Sequence, residues 1–289
     1  MKIITTSFYN YNKNSLEQSK QSNASTSFGS LFRFSSYVDC KGQHRQTQNT
    51  TGKREDLDYD ECARLIKKRF SNFDKINIMP MNGSDGTEAY LLAHSLLKEF
   101  GEKKAKKKIF PIIVSDVDPF IINSFGKKGI VAFQPEDIAA FGKNFDKYFQ
   151  EIPMSELPNI QNAYSLNAKA FKLTPFFQNL FEFKVQDFQK RITKIKDEGN
   201  SVIIIRNCLA QAFGHVQSML LVAELEQKMK NSSLFIIGQY DRDMMKHFVP
   251  EMKLFFDFHE VGKNIFSKQS NLSNYTNSWL AKLTKIFKQ

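Results

Sequence analysis

Apolar residues in the middle of the chain fall into short unbroken runs separated by helical periods. That is the alternation expected of an α/β sheet with both faces covered. Ile76-Asn77-Ile78-Met79-Pro80-Met81 reads as a short buried strand. Beyond it, Tyr90, Leu91, Leu92, Leu96, Leu97 and Phe100 recur near 3.6 residues, which predicts a helix buried on one face. A second strand is expected over Ile109 to Asp118, and three more at Phe181 to Val185, Val202 to Ile205 and Leu234 to Gly238. A helix over Val216 to Met229 precedes the last of these.

The ends break the pattern. Residues 1–55 are rich in Ser, Thr, Asn and Gln without a sustained period, and read as a largely disordered or loosely docked segment. Within it, Phe28, Leu31, Phe32, Phe34 and Tyr37 are apolar enough to dock on a core. Residues 58–70 offer one helix. Over 269–289, Trp279, Leu280, Leu283, Ile286 and Phe287 form a stripe opposed by Lys282, Lys285 and Lys288. This basic amphipathic helix either packs on its own domain or touches a partner groove or a membrane surface through 279–288. Residues 56–268 are left as the folded domain.

Candidate chemistry sits at the strand ends. Between the first strand and its helix lies Asn82-Gly83-Ser84-Asp85-Gly86-Thr87-Glu88. Strand, glycine turn and helix bring backbone N–H groups and a helix N-terminus close to a nucleotide-like ligand, although an ordinary turn has the same form. The second strand ends in Ser115-Asp116-Val117-Asp118. A carboxylate there can accept hydrogen bonds from both hydroxyls of a ribose; the other reading makes Asp116 or Asp118 a helix N-cap before Pro119. Asp116 stands farther from Gly86 than the usual interval of about 20 residues, and Lys103 to Lys108 account for the surplus as an extended helix end. Pro111 fits poorly in a central strand, which cannot spare an N–H. The later strands end in Gln186-Asp187, Arg206-Asn207 and Gln239-Tyr240-Asp241, so polar residues converge on one crevice.

Composition narrows the classes. With 289 residues, 41% of them hydrophobic, the chain can bury one sizeable core plus tails. Cys40, Cys62 and Cys208 show no metal-ligand spacing, and no histidine pairs at ligand distance, so no metal is expected. Reduced thiols and an opening without a signal-peptide core point to the cytoplasm. The net charge of +11 allows nucleic acid as a partner. No aromatics interleave with Lys103 to Lys108, however, and the D/N-P-P-[YFW] tetrapeptide of base-modifying amino-methyltransferases is absent. A protein substrate is favoured.

The order of motifs resembles a known family. Gly86-Thr87-Glu88-Ala89-Tyr90 is similar to the G-E-E-P-Y turn of the CheR-type chemotaxis-receptor glutamate O-methyltransferases, which use S-adenosyl-L-methionine. Ser115-Asp116-Val117-Asp118 resembles their S-D-I-D strand end, and Gly129-Ile130 and Lys147-Tyr148-Phe149 resemble G-[IV]-Y and R-Y-F. Gln186-Asp187-Phe188 falls where the family has H-N-L. Ile205-Arg206-Asn207-Cys208-Leu209 resembles C-R-N-V-L, and Val261-Gly262-Lys263-Asn264-Ile265-Phe266 the closing V-G-x-x-[IV]-[YF] hairpin. Thr50-Thr51-Gly52-Lys53-Arg54-Glu55-Asp56 is a worn copy of T-x-F-F-R-[DE].

The resemblance implies a Rossmann-like class I methyltransferase fold, a central mostly parallel sheet flanked by helices, with a small β-subdomain inserted at about 143–180. It implies that Gly86, with Gly83 beside it, turns under the methionine part of the cofactor, Glu88 meets its amino group, and Asp116 holds the ribose. Asp187 and Phe188 would flank the adenine, Arg206 and Asn207 would line the cofactor, and Arg54 with Thr50 would orient an acidic or receptor-like protein substrate near the methyl group. The implied reaction is in-line methyl transfer to a carboxylate side chain, with Arg54 and Asn207 at the reacting centre. For Glu88, Arg54, Arg206 and Asn207 a helix-end, solvated or structural hydrogen-bonding role stands beside these. Four positions depart from the pattern: Asn82 replaces the first glycine, Gly52 and Lys53 the aromatic pair, and Gln211 a tyrosine. They leave open a pseudo-enzyme that binds cofactor or partner without transfer, and a nucleic-acid methyltransferase.

Overall fold

The computed structural model describes residues 56–158, 167–206, 209–248 and 258–268, and the backbone of two short strands within the first segment, Ser36–Val38 (β1) and His44–Gln46 (β2), which pair antiparallel. The amphipathic stripe at 279–288 lies outside the described residues.

Asp58 starts the first helix, α1 (Tyr59–Arg69), by accepting hydrogen bonds from the backbone N–H groups of Asp60 and Glu61 at 2.9 and 3.0 Å. Next come β3 (Asn77–Met81), α2 (Thr87–Phe100), α3 (Glu102–Lys108) and β4 (Ile112–Asp116). The lysine run does not extend α2. Gly101, at φ 76° and ψ 146°, breaks the helix and starts α3 as a separate element. Pro111 lies just outside β4, which removes its conflict with the ladder.

After β4 the chain makes α4 (Pro119–Ile121) and a wider turn through Ile122–Gly126. There follow β5 (Ile130–Phe133), α5 (Pro135–Phe141), α6 (Phe145–Tyr148), β6 (Phe149–Ile152), β7 (Lys169–Leu173) and α7 (Pro175–Gln178). The last part comprises β8 (Phe181–Val185), α8 (Phe188–Thr193), β9 (Ser201–Ile205), α9 (Leu209–Lys228), β10 (Leu234–Ile237), α10 (Gln239–Phe248), β11 (Phe258–Gly262) and β12 (Ile265–Lys268).

Seven strands form the main sheet in the order β11-β12-β10-β9-β3-β4-β8. From β10 to β8 neighbours run parallel, while β12 is antiparallel to β10 and β11 on either side. The chain winds from β3 outward to β8, then returns to β9 on the other side of β3. The strand order therefore reverses between β3 and β9, the place where open α/β sheets hold ligands beyond their carboxyl ends. This is a Rossmann-like α/β fold, a central mostly parallel sheet flanked by helices. Its insert lies between β4 and β8 as a three-stranded antiparallel sheet, β5-β7-β6. The insert begins at Ile130, upstream of the boundary read near 143.

The chain's abundant phenylalanine has a structural use. Phe133, Phe141, Phe145, Phe149, Phe171 and Phe177 of the insert region form one core with Tyr90 of α2 and Phe181 and Phe183 of β8. Tyr148 stacks on Phe177 at 4.3 Å between centroids, and Tyr90 meets Phe181 edge-on at 4.9 Å. The insert is welded to the main domain through α2, the helix that follows the glycine turn.

Candidate active site

The turn joining β3 to α2 is unusually strained. Asn82 (φ 58°), Ser84 (φ 50°) and Gly86 (φ 96°) all occupy the left-handed region, and two of them carry a Cβ. Gly83 is needed for a different reason: a Cβ there would stand 2.4 Å from Cγ1 of Val114. At Gly86 both arguments apply, since its Cβ would lie 2.8 Å from the rings of Tyr90 and Phe183. Chain direction and close packing thus fix both glycines.

Asp116 holds this turn from the neighbouring strand. Its Oδ2 accepts a hydrogen bond from Ser84 N–H at 3.0 Å, its Oδ1 from Asp118 N–H at 3.0 Å, and its carbonyl from Gln186 N–H at 2.8 Å. The Ser115 carbonyl accepts from Gly83 N–H at 2.9 Å. The Asp116 side chain is completely buried, at 0% exposure. A ribose therefore reaches it only by displacing what covers it. Asp118 takes the capping role: its Oδ1 accepts from Phe120 N–H at 2.8 Å at the start of α4.

Next to this buried carboxylate lies an apolar seat that the sequence reading missed. Val117 is 58% exposed and Val185, in register with Asp116 on β8, is 47% exposed. Tyr240, just past β10, is 46% exposed. Three of the four large apolar residues found exposed among the described residues sit at carboxyl ends of parallel strands. Leaving apolar surface in water costs roughly 25 cal/mol per Å², and Val117 and Val185, at the ends of the paired strands β4 and β8, leave such surface side by side.

Arg206, at the end of β9, forms the other wall. Its side chain is buried, it lies 3.1 Å from Glu88 Oε1, it donates to the Tyr59 hydroxyl at 2.9 Å, and it pairs with Asp56. Burial works against its charge, but Glu88, Tyr59 and Asp56 together raise its pKa and hold it protonated. The other Asp56 oxygen accepts from Gln239 N–H at 3.0 Å, and the Asp56 carbonyl from Asn264 Nδ2 at 2.8 Å. One residue thus fastens the chain entering the domain to the ends of β9, β10 and the β11–β12 hairpin. Between the turn and Arg206 remains a cavity of about 10 Å³, lined by Leu57, Tyr59, Gly83, Glu88 and Arg206 among others. It has room for one water, not for a cofactor.

Asp85 carries the most perturbed carboxylate of the turn. Burial pushes its pKa up to about 6, against the pull of hydrogen bonds from Thr87 N–H at 3.0 Å and Thr87 Oγ1 at 2.8 Å, with Asp137 and Glu88 adding to the rise.

The structure brings Gly83, Gly86, Glu88, Asp116, Asp187 and Arg206 to the same edge of the sheet. Asp187 stands two residues past β8 and half-buried. Phe188 begins α8, but its side chain is not among those described, nor is that of Gln211. Thr50, Arg54 and Asn207 lie outside the described residues. Cys62 is a buried free thiol in α1, its pKa pushed up to about 12 by desolvation, and no cluster of potential metal ligands occurs among the described residues. No helix of the described residues is long and apolar enough to cross a membrane.

No protein-family model matches the chain, and no curated protein matches it. Several solved structures are similar at low identity. MnmC2 from Aquifex aeolicus is 12% identical with a TM-score of 0.39, over 96% of this chain and 88% of that one. An O-methyltransferase family protein from Burkholderia thailandensis is 8% identical with a TM-score of 0.33, over 73% and 56%. The bifunctional kinase-methyltransferase WbdD is 13% identical with a TM-score of 0.29, and the chain spans only 29% of its length.

Proposed function

We propose that the chain is an S-adenosyl-L-methionine-dependent methyltransferase that modifies a carboxylate side chain of a protein. The observation that carries this is the union of the strained 82–86 turn with Asp116 through Ser84 N–H, beside the exposed pair Val117 and Val185. Such a crevice offers the N-terminus of α2 to one end of an adenosyl cofactor, and an apolar floor to its adenine. The bound cofactor supplies an electrophilic methyl group on sulfur. The 82–86 turn would lie against its amino-acid part, Glu88 and Asp85 would face its positive charges, and Asp116, once uncovered, would accept from ribose hydroxyls.

An ionised carboxylate needs no general base, so the protein's contribution is in-line positioning. Arg54, Thr50 and Asn207 are the residues the family resemblance assigns to that task. Asp85, Glu88, Asp187, Asp241 and Asp243 crowd the same strand ends, which favours an acceptor carboxylate flanked by basic residues over a glutamate-rich helix.

A second reading is a scaffold that keeps the fold without transfer. It is favoured by the engagement of both key carboxylates within the protein: Glu88 with Arg206, and Asp116 beneath the turn. Calorimetric titration with S-adenosyl-L-methionine and S-adenosylhomocysteine, followed by labelled methyl transfer to candidate proteins, separates the two. Cofactor binding with transfer supports the enzyme, and a folded chain that binds neither compound supports the scaffold.

A further inference from the structure

Charge in the described domain is segregated along the strand direction. The carboxyl ends of the parallel strands carry the acidic residues of the candidate site. The amino ends carry lysines: Lys75 before β3, Lys107 before β4, Lys194 and Lys196 before β9, Lys230 before β10, and Lys68 in the last turn of α1. All six are exposed and none takes part in an ion pair among the described residues.

The loops bearing them are joined into one surface. Ile76 N–H donates to the Lys108 carbonyl at 2.8 Å, Asn200 Nδ2 to the Lys75 carbonyl at 2.9 Å, and Lys230 N–H to Asp197 Oδ2 at 2.7 Å. Asp197, a buried acid of this edge, is spent on backbone N–H groups of Gly199 and Lys230, while Asp74 and Glu198 are the exposed acids that stand among the lysines. Beside them an open groove of about 560 Å³ runs between Glu198, Lys228, Lys230, Ser232 and Lys268. Lys228 and Lys268 are anchored there by backbone carbonyls, of Thr193 at 2.8 Å and Glu226 at 3.0 Å, so their charges are placed without being neutralised.

We infer that this edge docks the phosphodiester backbone of a nucleic acid, and that it does so as an anchor, not as the methyl acceptor. Strands β10, β9, β3 and β4 are adjacent, so the lysine row spans about 14 Å, the reach of roughly four successive phosphates of one strand. A membrane surface fits less well, because the large apolar residues exposed among the described residues, Val117, Met154, Val185 and Tyr240, belong to other parts of the molecule. A strand bound here lies across the sheet from the turn at 82–86, out of reach of a methyl group held at the opposite edge.

The test is fluorescence anisotropy of the full chain with a labelled mixed-sequence single-stranded RNA, titrated with salt from about 50 to 200 mM. The wild type should bind with log K falling by about 0.7 per phosphate contact against log salt. The variant Lys194→Glu/Lys196→Glu/Lys230→Glu should weaken binding about tenfold or more, and Lys172→Glu on β7 should leave it unchanged. Equal thermal melts would establish that the variants are folded. S-adenosylhomocysteine should not compete with the RNA, and the RNA should not be methylated. No RNA binding at low salt would overturn the inference. So would equal binding by wild type and triple variant, or binding to phosphatidylserine vesicles in place of RNA.

Discussion

The Arg191 guanidinium lies 3.1 Å from the Pro80 carbonyl oxygen, at the point where proline has no N–H to give toward β4. Its Nη1 also donates to Ser115 Oγ at 2.5 Å and its Nη2 to the Ile113 carbonyl at 3.2 Å. Only Met81 and Ser115 are in register between β3 and β4, so this buried cation replaces missing ladder bonds beneath the candidate site. Burial pulls its pKa down to about 10, still charged at neutral pH. Arg191→Met should strand three interior acceptors and cost about 2–4 kcal/mol, read from urea unfolding midpoints. Arg191→Lys should recover only part of that, since one ammonium cannot reproduce the fork. An unchanged midpoint for Arg191→Met would show that the strands are held some other way.

Asp85 makes stability depend on pH. Its folded pKa of about 6 stands above the ordinary 3.8, so the folded chain holds more protons in that interval. The contribution is fully present below pH 3.8 and is lost as pH rises through 6. Asp85→Asn should remove that slope and raise stability at pH 7 by about 1–3 kcal/mol. A cofactor cation bound beside Asp85 would lower its pKa again. Calorimetry at pH 6 in two buffers of different ionisation enthalpy should then show proton release on binding.

Gly86→Ala combines a left-handed φ with contact against the Tyr90 and Phe183 rings. A loss of about 1–3 kcal/mol is expected in thermal unfolding. A variant as stable as the parent would mean that the turn relaxes freely, which removes the argument for a rigid cofactor cradle.

Glu88→Gln tests whether that side chain serves the protein or a ligand. The Arg206 pair alone predicts a loss of about 1–3 kcal/mol in stability. The enzyme reading adds a drop of about tenfold or more in cofactor affinity, because a neutral amide holds an ammonium less well.

Much of the framework was legible in the sequence because continuous apolar runs belong to strands covered on both faces. Phe181 to Val185 was bounded correctly, and Val202 to Ile205 and Leu234 to Gly238 to within a residue at one end. The insert was placed after the second strand but begun too late. Its short strands alternate weakly, and its burial is supplied by aromatic packing against α2, which no local period reveals. In the site, the glycines, Asp116 and Arg206 stood out as polar or flexible residues following apolar runs. Val117 and Val185 did not, since an exposed valine and a buried one look alike in a sequence. The roles of Asp56, Tyr59 and Arg191 depend on partners far away in the chain, as in Arg206 with Asp56 and Arg191 with Pro80. Charge was read as a total; its division between the two edges of the sheet needed the topology.

On the proposed function, the crevice above β3 and β4 takes an adenosyl cofactor through a turn fixed by Asp116. The most direct measurement is calorimetric titration of S-adenosylhomocysteine into the wild type and Asp116→Asn, with a thermal melt of each. Micromolar binding to the wild type is expected, weakened about tenfold or more in Asp116→Asn while that variant remains folded. A folded wild type that takes up no ligand would contradict it.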